Sequence, residues 1–369
     1  MVKYKITLSY QIMHRTPIKI KQTNAFLSIR LINLLCSILL LTSLFVSCKK
    51  EGKPRGNENG PAGFIDTGSN IIGATILPAM QTGTILNTTF ESSAPITLNS
   101  QHDLTIDGIT TSRISLIDCH NITIRNCRVG PNAHSGINLD QCTNIIIDSC
   151  YISGVSTGIY AADSQTISIT NCQAENMLGP FPEGQFVQFK NVIGGGNRVS
   201  FNKFEDILGE SDAEDAISMF ESNGLPSDPI VIESNWIRGG GPSHSGGGIM
   251  LGDQGGSNIV AKNNILVDPG QYGMAVSGGS YMSIVNNTIY AKAQSFTNVG
   301  LYYRNYYGSA NANISIAKNR VSFTDAAGAL DMTYLGPGDP APKGWNTNIY
   351  DAGLNETLLP DTIVSKVIF

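Results

Sequence analysis

The 369-residue sequence predicts an all-β solenoid, and three observations predict it. The first is a column: Cys127, Cys150 and Cys172, then Asn202, Asn235, Asn264, Asn287 and Asn319, hold one place in a recurring pattern whose clean early period is 22 to 23 residues. The second is what surrounds the column. An apolar or β-branched triplet precedes it and an apolar residue follows two positions beyond it, as in Ile122-Thr123-Ile124 with Val129, Ile145-Ile146-Ile147 with Ile152 and Ile314-Ser315-Ile316 with Val321. Alternation of period two over so few residues, bounded by Asn, Gly and Ser, marks a short strand buried on one face. The third is a further short strand in each repeat, usually opened by glycine: Gly136-Ile137-Asn138-Leu139, Gly158-Ile159-Tyr160-Ala161, Gly248-Ile249-Met250-Leu251. Self-similarity at this period means that every repeat buries its apolar face on its neighbours.

From the N-terminus, residues 1–47 carry Lys3, Lys5, Arg15, Lys19, Lys21 and Arg30 without an acid, then an apolar run over residues 31–46 that ends in Ser47-Cys48. This is a secretory signal rather than a fold element. A Cys directly after the apolar run and a small residue resembles a bacterial lipoprotein processing site. The resemblance implies lipidation of Cys48, a membrane partner through that lipid, and an extracytoplasmic location at the bacterial outer membrane or cell surface. Residues 48–63 are polar and rich in Gly, Pro and charge, which makes them a flexible tether. Residues 64–369 form the solenoid domain, with residues 64–93 capping its N-terminal end and a C-terminal tail whose residues 362–368 are expected to form an edge strand. Removal of the signal leaves 18 Lys and Arg against 29 Asp and Glu, a net charge of −11. Such acidity disfavours nucleic acid and anionic lipid as partners.

Within the solenoid, the fixed leucine and helical segment of leucine-rich repeats are absent. A single-stranded right-handed parallel β-helix of about ten coils fits instead, with Asn at a tight corner stacking into a hydrogen-bonded ladder. Over roughly residues 94–335 the chain resembles the parallel β-helix repeat family, the pectate-lyase-like superfamily of polysaccharide lyases, glycoside hydrolases and epimerases. Cys119 and Cys142, and Cys127 and Cys150, are one period apart and therefore stack. Stacked side chains lie about 4.8 Å apart with parallel Cβ vectors, so buried free thiols are expected rather than disulfides.

Used as a ruler, the column locates insertions. Nine or ten residues separate it from the next strand in Cys127 to Ile137 and Cys150 to Ile159, but 15 in Cys172 to Val187, 15 in Asn202 to Ile217 and 14 in Asn235 to Ile249. Three consecutive coils thus carry long loops on one side, and stacked loops make a wall that in solenoids often marks the binding face. The first loop holds Glu175, Phe181 and Glu183. The second holds Glu205, Asp206, Glu210, Asp212, Glu214 and Asp215, and the third supplies Arg238 and His244.

Beside the wall the strands present outward Gln188, Ser218, Met250, Ala275 and Tyr302, with Lys190, Asp253 and Arg304 at their exits. A groove edged with carboxylates and floored by polar and aromatic groups suits a polysaccharide. Asp215 and Glu214, then Asp212, are the candidates for acid/base chemistry, with Lys190, Arg238 and His244 as substrate or proton-transfer partners. Gln188, Asp253, Tyr302 and Arg304 are the candidate substrate contacts. Glu210, Asp212 and Asp215 are candidate ligands for Ca²⁺, since clustered carboxylate oxygens bind hard cations. The Glu214-Asp215-Ala216-Ile217 register resembles the paired acids of polygalacturonase-type hydrolases, and Gly246-Gly247-Gly248-Ile249-Met250-Leu251-Gly252 their glycine-rich histidine coil. Gly247 stands where those enzymes have the histidine, Gln185 where they have the preceding acid, and their later Arg-Ile-Lys segment is missing. The sequence reading is therefore a monomeric surface lipoprotein that binds a polysaccharide and degrades it as a lyase or hydrolase. Its rival is a non-catalytic glycan binder using Tyr302, Tyr303, Tyr306 and Tyr307 as an aromatic platform.

Overall fold

A computed structural model describes residues 84–85, 91–180, 182–208, 211–242, 246–307 and 312–365. The signal segment, the tether with Cys48 and most of the expected cap lie outside the described residues. The described residues wind into three parallel sheets of ten, ten and eleven strands, one strand of each per regular coil. The first sheet includes Ile137–Asp140, Ile159–Ala162, Val187–Lys190, Ile217–Phe220, Ile249–Asp253, Tyr272–Val276 and Val299–Tyr303. The second includes Thr143–Asp148 and Gln165–Thr170, and the third Tyr151–Ser153, Gln173–Glu175, Lys203–Glu205 and Trp236–Arg238. The predicted β-helix solenoid is the observed fold.

Alternation sends one residue in two of each strand inward, and parallel register stacks like on like. Ile106, Ile124, Ile147, Ile169, Val199 and Ile232 form one such column, all buried. Column volumes compensate: Ala161 precedes Phe189 and Ala174 precedes Phe204, and Phe204 stacks on Phe186 with ring centroids 5.5 Å apart. Trimming any of these buried aliphatics to alanine costs about 2–5 kcal/mol through lost contact and a residual cavity.

The Asn column is the expected ladder. Asn202 Nδ2 donates to Asn235 Oδ1 (3.0 Å), Asn235 to Asn264 (2.9 Å), Asn264 to Asn287 (3.0 Å) and Asn287 to Asn319 (3.0 Å). The structure extends it one rung to Asn348, which accepts from Asn319 (2.8 Å). Cys119, Cys127, Cys142, Cys150 and Cys172 are buried free thiols, as their stacking predicts.

The expected edge strand over residues 362–368 does not form within the described residues, which end at Ser365. Instead Leu359, Ile363 and Val364 bury against Tyr151 and Val267 on the outside of the third sheet. Apolar side chains there give the tail a surface to lie across, which outweighs pairing at a sheet edge.

Candidate functional site

A cleft opens where the first sheet meets the stacked insertions. In Val187–Lys190, Val187 and Phe189 fill the core while Gln188 and Lys190 face out. Register puts Tyr160 and Asn138 in line with Gln188, and Phe220 in line with Lys190. Asp253 reaches the same row because the register shifts after Met219, leaving Gly252 as the extra residue. Gly252 has φ +69°, and a Cβ there would lie 2.3 Å from Gly278 O, so glycine is required.

The wall side is built from two insertions tied by Glu214 N–H to Glu183 O (3.2 Å). Their close approach depends on Gly184, whose Cβ would meet the Ala213 Cα at 2.6 Å and whose φ is +105°. Buried Gln185 donates its amide to Pro182 O (2.8 Å) and to Glu214 Oε2 (3.0 Å), while the Thr157 hydroxyl donates to Gln185 Oε1 (3.3 Å). Ser156 donates to Glu183. The resulting cleft holds about 440 Å³ and is lined by Glu183, Glu214, Asp253, Lys190, Gln188 and Tyr160, with Asn138, Gln185 and Phe220 among the rest. That volume is within the range of about 300–1,000 Å³ typical of small-molecule sites.

Among the described residues, three carboxyl groups therefore share the cleft with one ammonium. Burial holds the Asp253 carboxyl above the ordinary carboxylate range; the Gln254 N–H opposes this and the Glu221 charge adds to it. The Lys190 ammonium sits 6.0 Å over the Phe220 ring.

The sequence-predicted residues separate into two groups. Glu214, Lys190, Gln188 and Asp253 come together in the cleft. Asp215, only 4% exposed, does not line it: its Oδ1 accepts from Gly247 N–H (2.9 Å) and from the Tyr272 hydroxyl. Burial, then the Glu214 charge, pushes its carboxyl well above the usual range. Asp212 is exposed, and its N–H binds Met177 O (3.3 Å).

Arg238 corrects the sequence reading most sharply. It lies on the third sheet, because Ile237 takes the inward place, and its Nη2 donates to Glu356 O (3.0 Å) and Leu359 O (2.7 Å). Arg304 is likewise outside the cleft lining, donating to Pro337 O (2.7 Å) and facing Asp339. Tyr302 stacks on Tyr334 at 5.0 Å, and Tyr303 belongs to the core, so the imagined four-tyrosine platform is reduced. Glu210 and His244 lie outside the described residues. Among the described residues no three Asp, Glu, His or Cys side chains gather to hold a metal ion.

Tyr160 and Asn138 were missed, although a shift of one period from Gln188 points to them. Glu183 stood in the wall without a role and Gln185 only as a departure from the polygalacturonase pattern; the structure ties Gln185 to Glu214 and Thr157, and Glu183 to Ser156 and the Glu214 N–H.

Three sheets wound round an apolar core, with a polar cleft on the outside of one, define a parallel β-helix. The family model described as "Right handed beta helix region" matches residues 93–289, and the chain belongs to that family. No curated protein matches the sequence. Among solved structures it is similar to a GH87 α-1,3-glucanase catalytic domain in complex with nigerose, at 13% identity and TM-score 0.45, over 75% of this chain and 57% of that one. A variant of such a domain in complex with tetrasaccharides gives 13% and 0.49, over 74% and 54%. A tailspike protein variant of E. coli bacteriophage HK620 in complex with hexasaccharide gives 11% and 0.45, over 70% and 51%. The chain thus spans little more than half the length of the structures it matches.

Proposed function

We propose that this protein is a glycan hydrolase of the pectate-lyase-like type, acting in the cleft on a neutral saccharide. The observation that carries the reading is that Glu214, oriented by the Gln185 amide, and Asp253 line one cleft together with Gln188, Asn138 and Tyr160, which can meet sugar hydroxyls. Hydrolysis needs one carboxyl to protonate the leaving oxygen and one carboxylate to act on the opposite side. Burial raises the Asp253 carboxyl, which suits it to the acid role and Glu214 to the other. A polyuronate is disfavoured because its carboxylates would meet Glu183, Glu214 and Asp253, with Lys190 the one cation among the described residues of the lining. β-Elimination would also call on cations to neutralise a uronate, and Arg238 and Arg304 are held elsewhere.

The same reading takes residues 1–47 as a signal, Cys48 as the lipidated terminus and the β-helix as a monomer displayed on the bacterial surface. A Cys48→Ser variant is expected in the soluble fraction. Activity is tested with a panel of neutral and acidic polysaccharides, scored for new reducing ends and for the ultraviolet absorbance of an unsaturated uronate. Reducing ends from a neutral glycan are expected, with Glu214→Gln slowing release by about 100-fold or more. Unsaturated product would overturn the hydrolytic assignment, and an unimpaired Glu214→Gln variant would remove Glu214 from it. Saccharide binding without cleavage would favour the rival, a glycan-binding surface protein.

A further inference from the structure

A second polar column flanks the first sheet. Two positions before the strands that open at Ile159, Val187, Ile217 and Ile249 stand Thr157, Gln185, Asp215 and Gly247, and parallel register stacks these places coil on coil. Thr157, Gln185 and Asp215 are buried. A hydroxyl, an amide and a carboxyl thus follow one another in successive coils, and burial makes each find its partner within the protein.

The direction of the bonds from Thr157 to Glu214 is determined by what each group can do. Pro182 O can only accept, so the nitrogen of the Gln185 amide must face it (2.8 Å), and the second N–H of that nitrogen goes to Glu214 Oε2 (3.0 Å). The amide oxygen is thereby turned toward Thr157. Gly184 N–H donates to the Thr157 hydroxyl (3.2 Å), which leaves that hydroxyl to donate to Gln185 Oε1 (3.3 Å). Asp215 takes no part in this run, because its Oδ1 accepts from Gly247 N–H and from the Tyr272 hydroxyl. A flipped Gln185 amide would set its oxygen against both Pro182 O and the Glu214 carboxylate. One orientation satisfies the whole run, and it delivers an N–H to Glu214.

Resting on the hydrolytic reading above, we infer that Thr157, acting through Gln185, is a positioning residue that presents Glu214 as the ionised carboxylate of the acid pair. A hydrogen bond donated to a carboxylate favours its charged form, and the Gln185 amide donates without a proton to release. An acid in the place of Gln185 would instead meet Glu214 carboxyl to carboxyl, and the two would share a proton. The proton of the reaction is left to Asp253, with Lys190 and Glu183 the other charged groups among the described residues of the lining. Ser156, next to Thr157, donates to Glu183. Neighbouring hydroxyls of one turn therefore serve both wall carboxylates.

Two measurements test this. Hydrogen exchange of the Gln185 side-chain amide, followed by isotope-edited NMR without substrate, is expected to be slow in the wild type and about fivefold faster in Thr157→Val. Steady-state kinetics on the neutral polysaccharide that the wild type cleaves is expected to show kcat lowered about tenfold in Thr157→Val, with KM unchanged, and restored to within about twofold in Thr157→Ser, which keeps the hydroxyl. Gln185→Leu, which removes the donor itself, is expected to lose at least as much. Unchanged exchange in Thr157→Val, unchanged kcat, or an equal loss in Thr157→Ser would overturn the inference and leave hydrolysis standing. A wild type that releases no reducing ends from any glycan removes the hydrolytic reading alone, because the exchange measurement still decides whether Thr157 turns the Gln185 amide to Glu214.

Discussion

Asp206 opens the insertion that carries Glu214, and its surroundings differ from what six acids in eleven residues imply. Its Oδ1 accepts the Met177 N–H (2.9 Å), while Oδ2 is buried and has no hydrogen-bond partner among the described residues. Burial raises this carboxyl to about 7, against the pull of the Met177 N–H and Ser211. Raised above its unfolded value of 3.8, it makes the folded state the tighter proton binder. Its contribution to stability is therefore fully present below pH 3.8 and is lost as pH climbs to about 7. Asp206→Asn should flatten that part of the profile. Denaturant titrations of both proteins between these limits check it, and parallel profiles would show that the Asp206 charge is not the cause. The neighbours of Asp206 show why an acid cluster was misleading in sequence. Glu205 reaches the tail through Ile363 N–H, Asp215 turns inward to Gly247, and Glu214 alone of the described members lines the cleft.

The Asn ladder converts a sequence column into a mechanical element. Each Oδ1 accepts both the backbone and the side-chain N–H of the preceding rung, and each Nδ2 also reaches a second-sheet carbonyl, as Asn264 does with Ile232 O (3.0 Å). Asn264→Ala would leave the Asn235 donors and the Ile232 carbonyl unsatisfied in the core. Two or more orphaned groups imply a loss of about 2–4 kcal/mol, read as a lower denaturation midpoint; a change below about 0.5 kcal/mol would show that water replaces the amide. This ladder was legible because period-two alternation and a fixed corner leave a trace in every repeat. The cleft was legible only as a location. Loop length marks which coils bulge, but it does not say that Gln185 folds back on Glu214 or that Gly252 adds the residue that swings Asp253 outward.

At the scale of the whole molecule, a solenoid in which each coil touches only its neighbours opens readily from either end. The C-terminal tail changes that connectivity. Tyr290 meets Glu356 (3.3 Å), Arg238 binds the carbonyls of Glu356 and Leu359, Glu205 accepts Ile363 N–H (3.2 Å), and Gln173 accepts Ser365 N–H (2.7 Å). A single segment thus reaches back over successive coils of the third sheet, with Leu359, Ile363 and Val364 buried beneath it. None of this is visible in local pattern, because Arg238 and its partners are separated by 118 and 121 residues. Strand parity decides the matter: Ile237 points in, so Arg238 points out, onto the tail and away from the cleft. Arg238→Ala should accordingly cost about 1–3 kcal/mol and speed amide hydrogen exchange at Ile363 and Ser365, while saccharide binding in the cleft stays unchanged. Loss of activity with tail exchange unaltered would return Arg238 to the site, whereas faster exchange with binding intact would make it the pin of a strap that joins distant coils into one cooperative unit.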